Sequence, residues 1–168
     1  MVAYNISGGC ARLLKSTQFV DTLQLVDHSS PLLTQTGSWV DTPANDTLAG
    51  HYSSSSLHTT AEPGAQVSFT LTGTGVWFHS GKRPAYGSYA LSIDGFPRGS
   101  GPATSSEPLL NQYLIGASNL TMGEHKAVSF NAGGGVLDFD YLVFETDVGG
   151  SGCVSSFYCC GGLFDNCS

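Results

Sequence analysis

The stretch Ala65-Gln66-Val67-Ser68-Phe69-Thr70-Leu71-Thr72 alternates apolar and polar residues without a break. Val67, Phe69 and Leu71 share one side and Ser68, Thr70 and Thr72 the other, a period of two that only a half-buried β-strand explains. Downstream, Gly73-Thr74-Gly75 punctuates the chain and residues 76–79 read as the next strand. Tyr89, Leu91 and Ile93 alternate again and stop at Asp94-Gly95. That dipeptide favours the left-handed backbone of a tight hairpin and predicts an antiparallel partner at residues 96–98. Residues 109–116, 126–130 and 137–144 are strand-like too. Upstream, residues 19–26 form a strand with Phe19, Leu23 and Leu25 on one face and Val20, Thr22 and Gln24 on the other. Between these, residues 29–56 are polar and broken by Pro31, Gly37, Pro43 and Gly50. They read as long loops around short strands at 38–40 and 51–53, and such loops are candidates for a binding rim.

Roughly eight to ten short strands spaced about ten residues apart, with no amphipathic stretch of helix length, predict an all-β domain built as a β-sandwich or jelly roll. The domain spans 19–146, preceded by an N-terminal segment, 1–18, and followed by a Gly/Ser/Cys-rich tail, 147–168. At 168 residues the chain has the usual length of one domain and can bury a core without disulfides or metals. Only 11% of residues are charged, against 40% hydrophobic, and there are 22 glycines, which favours turns and strands over helices.

A net charge of −7, with only six Lys and Arg spread along the chain, argues against nucleic acid and anionic membrane surfaces, both of which need clustered cations. No apolar run approaches the roughly 20 residues of a membrane span. N-x-[ST] triplets at Asn5, Asn45, Asn119 and Asn166 point to a secreted or extracellular surface glycoprotein. Of five cysteines, Cys10 stands alone and Cys153, Cys159, Cys160 and Cys167 crowd the tail. Their spacing matches no structural zinc site, so disulfides or free thiols are expected ahead of metal, and the odd count leaves one thiol for another chain or unpaired.

Further motifs narrow the fold. Thr36-Gly37-Ser38-Trp39, His58-Thr59-Thr60, Pro63-Gly64-Ala65, Gly73-Thr74-Gly75-Val76, Ser92-Ile93-Asp94-Gly95 and Leu137-Asp138-Phe139-Asp140-Tyr141 follow one another in this order. In that order, across about residues 21–146, the chain resembles extracellular jelly-roll domains of mushroom-forming fungi. These are galactose-binding-domain-like folds similar to family 6 and family 35 carbohydrate-binding modules and to fungal jelly-roll lectins. The resemblance implies a carbohydrate-binding role. It also implies a structural calcium ion between the first core strand and the last, here joining Asp138 or Asp140 to Asp21 or Asp27. The residues themselves agree in part: Asp138 and Asp140, two apart on one strand, project to the same side about 7 Å from each other. A solvated outer face or turn caps would explain the pair equally well.

Glycan recognition calls for aromatic rings against the apolar face of a sugar and planar polar groups for its hydroxyls. The loops supply His79, Lys82, Arg83, Tyr86, Trp39, Tyr52 and Asn111, with His58 and Trp77 in the wider pool. His79, Arg83 and Tyr86 are favoured because their loop combines cation, aromatic and turn residues. A strand tryptophan such as Trp77 packs in a core more often than on a ligand. No G-x-S-x-G elbow or H-E-x-x-H pair is present and the five histidines are scattered, so a non-catalytic lectin or binding module is expected ahead of an enzyme. The alternatives are an adhesive surface domain that binds protein or forms a homo-oligomer through its cysteines, and a glycan-active hydrolase or lyase.

Overall fold

The computed structural model describes residues 6–7, 10–11, 21–42, 45–147, 157–159 and 162–164. Within one unit, made of the two chain ends, β1 (Ile6–Ser7) pairs antiparallel with β2 (Cys10–Ala11). The other unit, Asp21–Asp147, holds the core. Its strands are β3 (Asp21–Asp27), β4 (Leu33–Thr36), β5 (Val40–Asp41), β6 (His58–Thr60), β7 (Gln66–Gly73), β8 (Gly75–Lys82), β9 (Ser88–Ile93), β10 (Phe96–Pro102), β11 (Leu109–Ala117), β12 (Gly123–Gly133), β13 (Leu137–Phe139) and β14 (Tyr141–Asp147). In the tail, β15 (Phe157–Cys159) pairs with β16 (Gly162–Phe164). The cysteines and the triplets at Asn5 and Asn166 carry no described side chain, so the expectations placed on them lie outside the described residues.

A five-stranded sheet, ordered β10-β9-β12-β7-β4, packs on a four-stranded one, β11-β8-β14-β3, and all pairings between these strands are antiparallel. The chain is therefore an all-β sandwich of the jelly-roll kind. The alternation in residues 65–72 decides the core as expected: Val67, Phe69 and Leu71 are buried and Thr70 and Thr72 exposed. Phe69 meets Phe144 across the sandwich at 5.1 Å between ring centroids, and Phe78 meets Phe139 at 5.9 Å. At the predicted hairpin, Asp94 and Gly95 take φ of 54° and 80°, and Phe96 pairs with Ile93.

Three expectations change. Residues 51–53 are not a strand but part of two single-turn 3-10 helices, Ala49–His51 and Ser53–Ser55, because serine hydroxyls and amides in this loop bond to carboxylates instead of a neighbouring strand. The stretch 137–144 is two strands, not one. β13 leaves the sandwich to pair with β6 in a small third sheet, β13-β6-β5, and β14 returns between β8 and β3. In β3 the core side is that of Val26, while Leu23 and Leu25 are 63% and 57% exposed.

Candidate functional site

The outer face of the four-stranded sheet is apolar where an antiparallel sheet facing water is ordinarily polar. Two rows of the ladder build it. One runs Tyr113, His79, Tyr141 and Asp27 on β11, β8, β14 and β3, and the next runs Gly116, Trp77, Val143 and Leu25. The imidazole of His79 stacks on the Tyr141 ring, 4.8 Å between centroids and 7° from parallel, and Tyr113 meets it edge-on at 6.0 Å. Leu23, Trp77, His79 and Val143 line a shallow groove of about 280 Å³.

Two glycines fix the indole of Trp77. A Cβ on Gly75 would lie 2.6 Å from Cη2 and 3.0 Å from Cζ2, and one on Gly116 would meet Cδ1. The ring therefore lies across both glycines, against the backbone of β8 and β11. Burial pushes the His79 imidazole below its ordinary value, so it is neutral at pH 7, and its buried Nδ1 has no hydrogen-bond partner. The face thus offers a run of aromatic surface built from Trp77, His79, Tyr113 and Tyr141.

Three of the loop residues singled out in the sequence, Tyr52, Arg83 and Tyr86, gather elsewhere, around a buried carboxylate. Asp138 is 1% exposed and accepts from four protein donors: the hydroxyls of Tyr52 at 2.7 Å, Tyr86 at 3.0 Å and Ser80, and the amide of Gly81 at 3.0 Å. Burial pushes its carboxyl up, and these donors draw it only part of the way back. Burial, and then the Asp138 charge, push both tyrosine hydroxyls well above their usual value, so they donate throughout the physiological range. Arg83 completes the cluster: Nε donates to the Tyr52 oxygen at 2.9 Å, Nη1 pairs with Asp46 at 2.8 Å, and the guanidinium lies 5.0 and 5.9 Å from the Tyr52 and Tyr86 ring centroids. These contacts engage Tyr52, Arg83 and Tyr86 with one another; of the cluster's polar atoms, Arg83 Nη2 is buried without a partner. The arrangement staples the 46–52 loop and the 83–86 loop to β13.

The remaining candidates are dispersed. Lys82 places Nζ 5.9 Å over the Tyr89 ring, and Trp39 packs beside the core with Nε1 donating to the Thr36 carbonyl at 3.0 Å. Asn111 takes a φ of 53° and donates from Nδ2 to the His51 carbonyl at 3.1 Å. His58, from the wider pool, sits between Gln35 at 2.9 Å and Asp41 at 2.8 Å. Tyr113 and Tyr141 are absent from the sequence-derived pool and Trp77 stands there as the weaker, core-prone candidate, although β8 carries the signal: its residues opposite Val76, Phe78 and Ser80 are Trp77 and His79 rather than small polar groups.

Asp140 is also fully buried. Its Oδ1 accepts the Ser53 amide at 2.9 Å, its Oδ2 has no partner, and burial raises its carboxyl to about 7 despite that hydrogen bond. Asp27 is the opposite case. Burial would raise it, but hydrogen bonds from Ser29 and Ser53 outweigh that and hold it at about 2. These residues do not fit a calcium shell: Asp138 is saturated by protein donors, Asp140 offers one free oxygen, and among the described residues no three His, Cys, Asp or Glu side chains converge on one point. The side chain of Asp21 lies outside the described residues.

The fold has solved counterparts. It is similar to a family two carbohydrate esterase from Cellvibrio japonicus, with 16% identity, 76% of this chain and 34% of that one covered, and a TM-score of 0.51. It is likewise similar to the Agl-KA catalytic domain, at 15% identity, 80% and 30% coverage and a TM-score of 0.51. The chain spans about a third of the length of these two structures. The CBM36-1 domain of a multidomain xylanase from the hindgut metagenome of Trinervitermes trinervoides is matched along 99% of its length and 78% of this chain, at 20% identity and a TM-score of 0.51. No family model and no curated protein matches the sequence. At these identities the likeness establishes the β-sandwich.

Proposed function

We propose that this protein is a non-catalytic carbohydrate-binding module that works outside the cell and takes a glycan on the outer face of its four-stranded sheet. The observation that carries this reading is the Trp77 indole laid across Gly75 and Gly116 beside the stacked His79 and Tyr141 rings. A ring held against glycine backbone is rigid before any ligand arrives, so stacking a sugar on it costs little side-chain entropy. His79, which lines the groove and stacks on Tyr141, extends the aromatic surface beside the indole.

Two further facts support the reading. The fold is similar to the CBM36-1 domain of a xylanase, matched along 99% of that domain and 78% of this chain. The described N-x-[ST] triplets, at Asn45 and Asn119, both fall on exposed positions outside the strands, as glycosylation of a secreted chain requires. The test is a glycan array followed by calorimetry on the strongest hit, with and without chelator. Trp77→Ala is expected to weaken binding by about fivefold or more with the fold intact, on the scale of ~1 kcal/mol or more for a buried aromatic anchor. A folded protein that binds no glycan, or whose binding is untouched by Trp77→Ala, overturns it. Loss of binding with chelator alone would bring a cation back into the site.

A further inference from the structure

One end of the outer sheet face is crossed by the chain itself. Residues 51–54 pass over the four strands in sheet order, β11, β8, β14 and β3, with an anchor to each. Asn111, two residues before Tyr113 on β11, donates from Nδ2 to the His51 carbonyl at 3.1 Å. Gly81, two residues beyond His79 on β8, is buried under Tyr52: a Cβ there would collide with the Tyr52 hydroxyl. Asp140, which leads into β14, accepts the Ser53 amide at 2.9 Å. Asp27, the last residue of β3, accepts the Ser53 and Ser54 hydroxyls at 2.8 and 3.1 Å. Gly81 shares the strand side of His79, and Asp27 that of Leu25, so this strap lies on the outer face of the sheet.

The strap is held rigidly. Ser54 and Ser55 take φ of 51° and 55°, two successive non-glycine residues in the left-handed region, a conformation that persists only where surrounding contacts impose it. The anchors to Asp27 and Asp140 are such contacts, and the bond from Tyr52 to the buried Asp138 fixes the strap over β8.

The groove meets this wall at one end. Its lining residues fall in three successive rows of the ladder: His79 in the row beside the strap, Trp77 and Val143 in the next, and Leu23 in the third. The far end carries no such wall among the described residues, and Leu23 and Leu25 there are 63% and 57% exposed. A chain laid along the groove can therefore leave over Leu23, whereas past His79 it runs into residues 51–54.

We propose that the groove takes the terminal residue of a glycan chain and rejects chain interiors. This rests on the glycan reading of the Trp77 face and adds to it which part of the chain is admitted. A terminal sugar stacks on the indole with its free end toward the strap, and the rest of the chain departs past Leu23. An internal sugar would have to continue through Tyr52, which is buried and hydrogen-bonded in place. Exclusion by a fixed obstacle gives specificity without any added attractive contact.

The experiment is calorimetry of the full chain against soluble xylan, mixed-linkage β-glucan and galactan, each intact and after partial acid cleavage, which multiplies chain ends at constant mass. The expected result is a number of binding sites per gram that rises in proportion to the ends created, with Kd per end unchanged and with Trp77→Ala weakening binding at both lengths. Asn111→Gly, which frees the strap from β11 and suits the φ of 53° at that position, is expected to raise the sites per gram of intact polymer with the melting temperature near that of the wild type. Sites per gram that stay constant on cleavage of a polymer bound through Trp77 overturn the proposal and leave the glycan reading standing. End-dependent binding that survives Trp77→Ala puts the end site elsewhere and overturns it as well. Binding to none of the three polymers, intact or cleaved, also overturns it, and the glycan array then judges the Trp77 face separately.

Discussion

At the residue scale the buried carboxylates dominate what can be measured. Asp138 receives four donors in a dry setting, so Asp138→Ala leaves two tyrosine hydroxyls, a serine hydroxyl and an amide without their acceptor. Breaking such a cluster costs about 3 kcal/mol or more, seen as an earlier midpoint in urea unfolding. Asp140 gives a pH signature. Its carboxyl ionises near 3.8 when unfolded and near 7 when folded. Between those values the unfolded chain sheds a proton that the folded chain keeps, so this group makes stability fall as pH rises from about 4 to about 7. His28 and His79, lowered chiefly by burial, act in the opposite sense, taking stability away as pH falls below the ordinary imidazole value. Asp140→Asn is therefore expected to reduce the fall in melting temperature between about pH 4.5 and pH 7 while leaving the histidine limb in place. A variant with the wild-type slope would mean that another group carries it.

At the element scale, β8 does two jobs because its residues alternate. Val76, Phe78 and Ser80 face inward, and Trp77 and His79 build the outer groove. Gly75 is the element's weak point for function rather than for stability. A methyl there meets only the far end of the indole, which can move, whereas a methyl on Gly73 meets the Glu145 backbone carbonyl, which cannot. Gly75→Ala is thus expected to tilt Trp77 and cut glycan affinity roughly tenfold with a stability change under about 1 kcal/mol, and Gly73→Ala to destabilise by about 3 kcal/mol with binding by the folded fraction preserved. Denaturation midpoints beside calorimetric titrations separate the two. β13 shows the reverse limit: Leu137, Asp138 and Phe139 are all buried, so no outward face remains, and the alternation that suggested a paired-carboxylate face gives no hint of it.

At the scale of the whole molecule, the core side chains among the described residues lie in the Asp21–Asp147 unit, with both sheets of the sandwich. A chain trimmed to residues 21–147 is expected to keep a single cooperative unfolding transition and the glycan affinity of the full chain. Loss of either on trimming would assign the terminal unit a share in the fold or the site. Calorimetry on both lengths decides it.

The strand pattern was legible because burial on one face writes a period of two into residues 65–72 and 89–93, and because Asp94-Gly95 encodes its own turn. Sequence alone therefore determined the all-β sandwich, its antiparallel hairpins and most of its strands. It did not determine which face of β3 is inside, since the exposed side carries two leucines, Leu23 and Leu25, and the core side a single buried Val26. Nor did it tell a loop aromatic that reaches solvent from one that folds onto a buried aspartate: Tyr52, Arg83 and Tyr86 lie up to 86 residues from the groups they bind. Those choices depend on contacts between strands distant in sequence, and the tertiary structure alone made them. It turned Trp77 outward across two glycines and laid residues 51–54 across the end of the sheet, because packing two sheets fixes which side chains find partners and which are left to meet a ligand.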